Sequence, residues 1–307
     1  AMTPPLKTPR IGILAPSGPP LDEARLAAGF RSLAEVGLEI VAPREKYPAH
    51  GFLAGTDEAR ALEFDALASR DDLDILLCVR GGYGTLRILD RIDYQAAASR
   101  PKLLVGYSDI TALQLALHRH AGWKGLSGAM LAVEWPDPDP LWLEPYWRLL
   151  SGESSVPLAP VDGSRPLPLV EGQASGLLLG GNLAMISRLV GTPYMPDLGG
   201  CILFLEDVGE TPYRLDALLA QLRLGGALAG LAGVVLGQFT DSTPPSDRPS
   251  FSVDEVMEHY FGGASYPVAR NWNYGHFALK TPMPIGIRAS LTVTGRGATL
   301  TTLEPLI

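Results

Sequence analysis

Leu103-Leu104-Val105-Gly106-Tyr107-Ser108-Asp109-Ile110-Thr111-Ala112-Leu113-Gln114-Leu115 changes its periodicity at a single glycine. The first three residues form a short apolar run, the pattern of a strand covered on both faces. Beyond Gly106 the apolar residues recur at helical spacing through Ile110, Leu113 and Leu117. A serine at such a strand-to-helix turn stands exposed at the carboxyl edge of a sheet. Helix amides can meet a negative charge there, which is how a nucleophile elbow works. The same position also suits an N-cap, because serine and aspartate both accept from the free N–H groups of a first helical turn. On this stretch alone, both readings of Ser108 and Asp109 stand.

Upstream, strand and helix patterns alternate. Residues 11–16 read as a strand ending at the turn Ser17-Gly18-Pro19-Pro20, and residues 21–36 as a helix stopped by Gly37. Residues 38–42 read as a second strand, and Thr56-Asp57-Glu58 opens a helix reaching about Ala68. Residues 74–79 form a third strand pattern, followed by Arg80-Gly81-Gly82-Tyr83-Gly84-Thr85 and a short helical piece at 86–89. Crossover-length connections between such strands predict an α/β unit with a largely parallel sheet. Sites in such sheets lie beyond the carboxyl ends of the strands. The loops at 16–20, 80–85 and 106–109 are therefore expected to converge.

The texture changes near Trp135. Pro136-Asp137-Pro138-Asp139-Pro140 is rigid and non-helical, and an aromatic piece with Trp142, Tyr146 and Trp147 follows. Residues 151–168 are rich in Pro, Ser and Gly, the composition of an inter-domain crossing. Beyond them lie strand patterns at 174–179, 201–205, 233–238 and 290–294, with helices at 213–224 and 253–261. We expect an α/β chain in two parts: a nucleophile-bearing α/β domain over 1–150 and a smaller β-rich α/β domain over 173–307. Residues 151–172 would join them.

Composition excludes several classes. A net charge of −8 argues against an electrostatic nucleic-acid or anionic-membrane partner. No apolar run is long enough to span a bilayer, and Ala1-Met2-Thr3-Pro4-Pro5 lacks a charged region followed by an apolar one. Cys78 and Cys201, each inside an apolar run, read as buried small hydrophobes. With no disulfide framework, a reducing compartment and a soluble, cytoplasmic protein are expected.

Three features are candidates to act with Ser108. In Leu205-Glu206-Asp207-Val208-Gly209-Glu210, an apolar strand runs into carboxylates. Glu210, and to a lesser degree Asp207, suits a favourable charge at a helix N-terminus, which leaves Glu206 as the functional carboxylate. Asn273-Tyr274-Gly275-His276-Phe277 puts a histidine in a Gly/Pro-rich loop, as a general base requires, although surface and structural roles also fit it. The Arg80–Gly84 turn offers backbone N–H groups to a phosphate or an oxyanion, or is simply a tight turn. It fails as a dinucleotide fingerprint, since Arg87 stands where a third glycine belongs. His118 and His120 are two apart on a helix and share no face. With no cluster at ligand spacing, neither a metal nor another cofactor is expected.

Six pieces in one order resemble the LD-carboxypeptidase family, serine peptidases that include the microcin C immunity peptidases. They are Ile13-Leu14-Ala15-Pro16-Ser17-Gly18, Arg80-Gly81-Gly82-Tyr83-Gly84, Gly106-Tyr107-Ser108-Asp109-Ile110-Thr111, Gly180-Gly181-Asn182-Leu183, Leu205–Glu210 and Gly275-His276. The resemblance implies a Ser108–His276–Glu206 triad split between the domains, with oxyanion donors at the Asp109 amide and at Gly81 or Gly82. It also implies release of the terminal D-alanine of a murein tetrapeptide and a homodimer; Arg80 suits either a substrate carboxylate or a structural ion pair, and Tyr83 is a substrate-contact candidate beside it. Ser127-Gly128-Ala129 departs from the histidine-glycine-proline turn expected there, and Asp216-Ala217 from an expected arginine. Neither departure touches the triad. The aromatic segment 135–147 either packs between domains or stacks on a nucleotide-like substrate, as an immunity-type amidase would require. A non-catalytic peptide-binding homologue is the remaining alternative, and retention of all three triad residues argues against it.

Overall fold

The computed structural model describes residues 8–44 and 46–307; residues 1–5, read above for an export signal, lie outside them. The first half contains β1 (Arg10–Leu14), α1 (Glu23–Glu35), β2 (Glu39–Ile40), α2 (Asp57–Ala68), β3 (Ile75–Cys78), α3 (Tyr94–Ser99), β4 (Leu103–Val105), α4 (Ile110–Ala121) and β5 (Lys124–Ser127). Strands β5, β4, β3, β1 and β2 lie side by side in that order, all parallel. Every residue of β3 and β4 is buried, which is why both read as unbroken apolar runs. Helix α1 starts where the Asp22 side chain accepts from the Ala24 amide at 2.8 Å, and α4 stops at Gly122 in the left-handed region. The expected strand at 38–42 shrinks to Glu39–Ile40, because Ala42 turns to positive φ and Pro43 has no N–H to donate. The helical piece at 86–89 is a pair of 3₁₀ turns, Thr85–Arg87 and Leu89–Arg91.

The second half continues with α5 (Pro140–Leu150), β6 (Leu167–Val170), β7 (Gly172–Asn182), α6 (Leu183–Leu189), β8 (Cys201–Val208), α7 (Pro212–Leu224), β9 (Gly233–Thr240), α8 (Val253–Phe261), β10 (Val268–Arg270), β11 (Met283–Ile285), β12 (Ile287–Thr294) and β13 (Gly297–Thr302). Its sheet runs β13-β12-β7-β8-β9-β10-β6, parallel from β7 to β10 and antiparallel at both flanks. Helix α5 escaped the sequence reading because of its prolines. Pro140 nevertheless suits a first helical turn, and Asp139 caps it through the Leu141 amide. Trp142, Tyr146 and Trp147 of this helix meet Trp135 edge-on or tilted, and all four rings are buried, so the segment serves packing. Both cysteines are buried and free. No helix among the described residues is long and apolar enough to cross a membrane.

Strand pairing and helix packing both bind the halves together. Strand β11 pairs antiparallel with β5 and extends the first sheet, and Gly286 then turns the chain directly into β12 of the second. Helix α4 sits on the end of β7, where the Asn182 amide donates to Thr111 Oγ1 at 3.1 Å. A Cβ on Gly181, at φ +137°, would stand 2.5 Å from that oxygen. Gly181→Ala is therefore expected to cost about 2 to 4 kcal/mol, combining backbone strain with overpacking. The shift in urea midpoint measures it.

Candidate active site

The central serine sits on a strained backbone. Ser108 lies between β4 and α4 at φ 65°, a conformation that costs a non-glycine residue about 1–2 kcal/mol. The flanking glycines make the turn possible. A Cβ on Gly106 would lie 3.0 Å from Ile110 Cγ1, and one on Gly81 would lie 3.0 Å from Ser108 Cβ. Asp109 holds the N-cap position of α4, yet its side chain bonds no amide of that helix. The Asp109 carboxylate instead accepts from Ser17 Oγ at 2.7 Å and from the Thr85 amide at 2.9 Å. Gly18 donates its N–H to the Gly81 carbonyl at 3.1 Å, so the three loops converge as topology predicted.

A hydrogen-bonded line crosses from this elbow into the second half. Ser108 Oγ lies 2.9 Å from His276 Nε2, and His276 Nδ1 lies 2.6 Å from Glu206 Oε2. Glu206 is fully buried, while the His276 side chain keeps 18% exposure, enough to reach a substrate. Glu206 lies within β8 and not at its end: the strand runs on to Val208, with a bulge between Leu205 and Asp207. The bulge breaks strict alternation, and both neighbouring carboxylates meet Asn182. Its Nδ2 donates to Glu206 Oε1 at 3.2 Å and to Asp207 Oδ1 at 3.0 Å. The His276 loop is closed by Asn273, whose Nδ2 donates to the Leu279 carbonyl and whose Oδ1 accepts from Thr281 Oγ1.

The glycine-rich turn faces the same serine. Among the described residues, the backbone N–H groups of Gly81, Gly82 and Asp109 have no acceptor. Arg80 is half-buried, donates from Nη1 to the Pro19 carbonyl at 3.2 Å, and has no carboxylate partner among the described residues. Burial lowers its pKa. Tyr83 is 44% exposed and meets Phe52 edge-on. The other sequence candidates lie elsewhere: Glu210 is 3.9 Å from Arg214 at the start of α7, and His118 contacts the Trp123 carbonyl. At the two departures noted above, Ser127 Oγ meets the Tyr274 hydroxyl and Asp216 accepts from the Tyr260 hydroxyl.

Known proteins resemble this one over most of the chain. The LD-carboxypeptidase N-terminal domain matches residues 11–128, and the LD-carboxypeptidase C-terminal domain matches residues 175–291. The chain belongs to the LD-carboxypeptidase family. It is 34% identical to a probable murein peptide carboxypeptidase of Bacillus subtilis, over 94% of this chain and 91% of that one. It is 32% identical to a murein tetrapeptide carboxypeptidase of Pseudomonas aeruginosa, over 92% of each. The crystal structure of a muramoyltetrapeptide carboxypeptidase from Oxalobacter formigenes superposes with a TM-score of 0.85 at 31% identity, over 97% of this chain and all of that one.

In this LD-carboxypeptidase, several residues around the site carried no local signal in the sequence. Asn182 and Thr111 were visible only as parts of quoted motifs, and Glu134 and Lys280 not at all. Asp207 has an unusual titration. Burial, reinforced by the Glu206 charge, raises its pKa from 3.8 to about 6, against hydrogen bonds from Val208, Ala184 and Asn182. A raised folded-state pKa means a contribution to stability that is full below about pH 4 and is lost as pH rises through about 6. A carbon-detected NMR titration of the Asp207 carboxyl is expected to show that midpoint, and the unfolding free energy should lose the corresponding increment over the same window.

Proposed function

We propose that this LD-carboxypeptidase hydrolyses the bond holding the terminal D-alanine of a murein tetrapeptide, through an acyl-enzyme on Ser108. The observation that carries the reading is the unbroken Ser108–His276–Glu206 line built across two sheets. In this scheme His276 takes the Ser108 proton as Oγ attacks the scissile carbonyl, then delivers it to the departing D-alanine amine. Water then attacks the acyl carbon as His276 takes its proton, and the C–Oγ bond breaks as Ser108 recovers that proton, which frees the shortened peptide. Glu206 holds Nδ1–H toward itself, keeps Nε2 ready to accept, and stabilises the imidazolium. The Asp109 amide and that of Gly81 or Gly82 receive the oxyanion, which the lack of competing acceptors at those groups supports. Arg80, a cation with no carboxylate partner among the described residues, pairs with the substrate's terminal carboxylate, and Tyr83 lines the same approach. No step calls for a metal or other cofactor.

On this reading the triad is shared between a unit over 1–150 and one over 173–307, joined by 151–172, in a cytoplasmic homodimer. Mass spectrometry of a muropeptide tetrapeptide incubated with the enzyme is expected to show loss of one terminal alanine. An unchanged tetrapeptide, with cleavage of an aminoacyl-sulfamoyl adenylate in its place, would replace this reading with the amidase one. Burial of the 135–147 aromatics supports packing over the stacking role that the amidase reading gave them.

A further inference from the structure

A second buried network lies beside the triad and spans the same two halves. Lys280 Nζ donates to Glu134 Oε1 and, at 2.8 Å, to the Phe277 carbonyl. The Tyr107 hydroxyl donates to the same Glu134 oxygen at 2.8 Å, while Glu134 Oε2 accepts from the Met130 amide at 3.0 Å. The ammonium also stands 3.9 Å from the centre of the Tyr107 ring. Lys280 is 3% exposed, Glu134 4% and Tyr107 6%, so both charges are out of water. A buried ion pair is seldom more stabilising than apolar residues of the same shape, because desolvation offsets most of its attraction. Stability alone therefore gives a weak account of this one, and its placement gives a better one. Tyr107 immediately precedes Ser108, and Phe277 immediately follows His276. The Tyr107 ring packs edge-on against the imidazole, with ring centres 5.4 Å apart at 73°. One ion pair thus holds the neighbour of the serine and the neighbour of the histidine, with one charge drawn from each half of the chain.

We infer that Glu134, Lys280 and Tyr107 are positioning residues that convert docking of the two halves into the orientation of His276 toward Ser108. The inference rests on the peptidase reading above. Near-attack geometry is steep: a misplacement of about 1 Å can lower a rate on the order of 100-fold. The test is the double variant Glu134→Gln/Lys280→Met, which removes both charges while roughly keeping their volume. Its kcat for the tetrapeptide is expected to fall about 10- to 100-fold, with KM within about twofold of the wild type. Tyr107→Phe keeps the ring against His276 but releases Glu134, so a smaller loss in kcat alone is expected; it decides the matter if the double variant does not fold.

The second readout needs no substrate. It is the downfield proton resonance of the His276 Nδ1–H bonded to Glu206, assigned by its loss in His276→Ala. Broadening or loss of that resonance in a folded double variant supports the inference even if the wild-type enzyme leaves the tetrapeptide intact. Wild-type kcat with an unchanged resonance would reduce the pair to a structural bridge. A raised KM with unchanged kcat would move it to substrate binding. Either result overturns the inference.

Discussion

Ser108→Ala is expected to lower tetrapeptide turnover by about 10³- to 10⁶-fold while leaving the fold in place. The hydroxyl that His276 Nε2 meets at 2.9 Å disappears, and the neighbouring Asp109 carboxylate is tied through Oδ2 to Ser17 and Thr85. Stability should move by no more than about 1 kcal/mol, because the serine side chain caps nothing. A companion variant separates chemistry from strain. Ser108→Gly removes the same hydroxyl and also relieves the positive φ of 65°. Relief of about 1–2 kcal/mol is partly offset by the greater freedom of glycine in the unfolded chain, so this variant should equal or exceed Ser108→Ala in stability. Single-turnover mass spectrometry and thermal unfolding read the two effects apart. Turnover by Ser108→Ala within tenfold of the wild type would remove Ser108 as the nucleophile.

Glu206→Gln should cost about 10³- to 10⁴-fold in kcat, with little change in KM. An amide has one acceptor where the carboxylate uses two. Glu206 Oε2 faces His276 Nδ1 and Oε1 faces the Asn182 Nδ2 donor. If the new amide nitrogen faces His276, the imidazole must accept at Nδ1 and carry its proton on Nε2, the atom that has to receive the serine proton. If it faces Asn182, two donors are opposed in a fully buried place, and the stabilising charge opposite His276 is gone. Either orientation weakens the base. The pH–rate profile and the downfield histidine proton resonance distinguish them. Near-wild-type kcat would shift the role to Asp207, the neighbouring carboxylate on the same asparagine.

The contrast between Glu206 and its neighbours shows how far the sequence reaches. Glu206 was visible because an apolar run ends in carboxylates, yet the strand continues past it, and only the bulge at Leu205/Asp207 lets adjacent side chains share Asn182. The elbow was legible as a change of period at Gly106. The choice between cap and nucleophile was not, because an N-cap and an elbow serine occupy the same place in the pattern. Helix α5 was masked by its prolines: Pro140 suits the first turn, whereas Pro145 stands inside the helix, where proline is unfavourable. Strand β11 is three residues long and belongs to the sheet of the other half, so nothing within it announces its partner.

By itself, the sequence determined the alternating α/β half and the convergence of three loops at one sheet edge, and it singled out Ser108, Glu206 and His276 as candidates. Each of these follows from local periodicity, from turn residues, or from motifs in a fixed order. The tertiary structure decided that Ser108 and His276, 168 residues apart, meet at 2.9 Å. It also decided that Lys280 and Glu134, 146 residues apart, close a buried pair beside them. The physical reason is range. Local patterns set φ, ψ and the buried face of one element at a time, whereas a hydrogen bond between halves exists only after both have docked and excluded water.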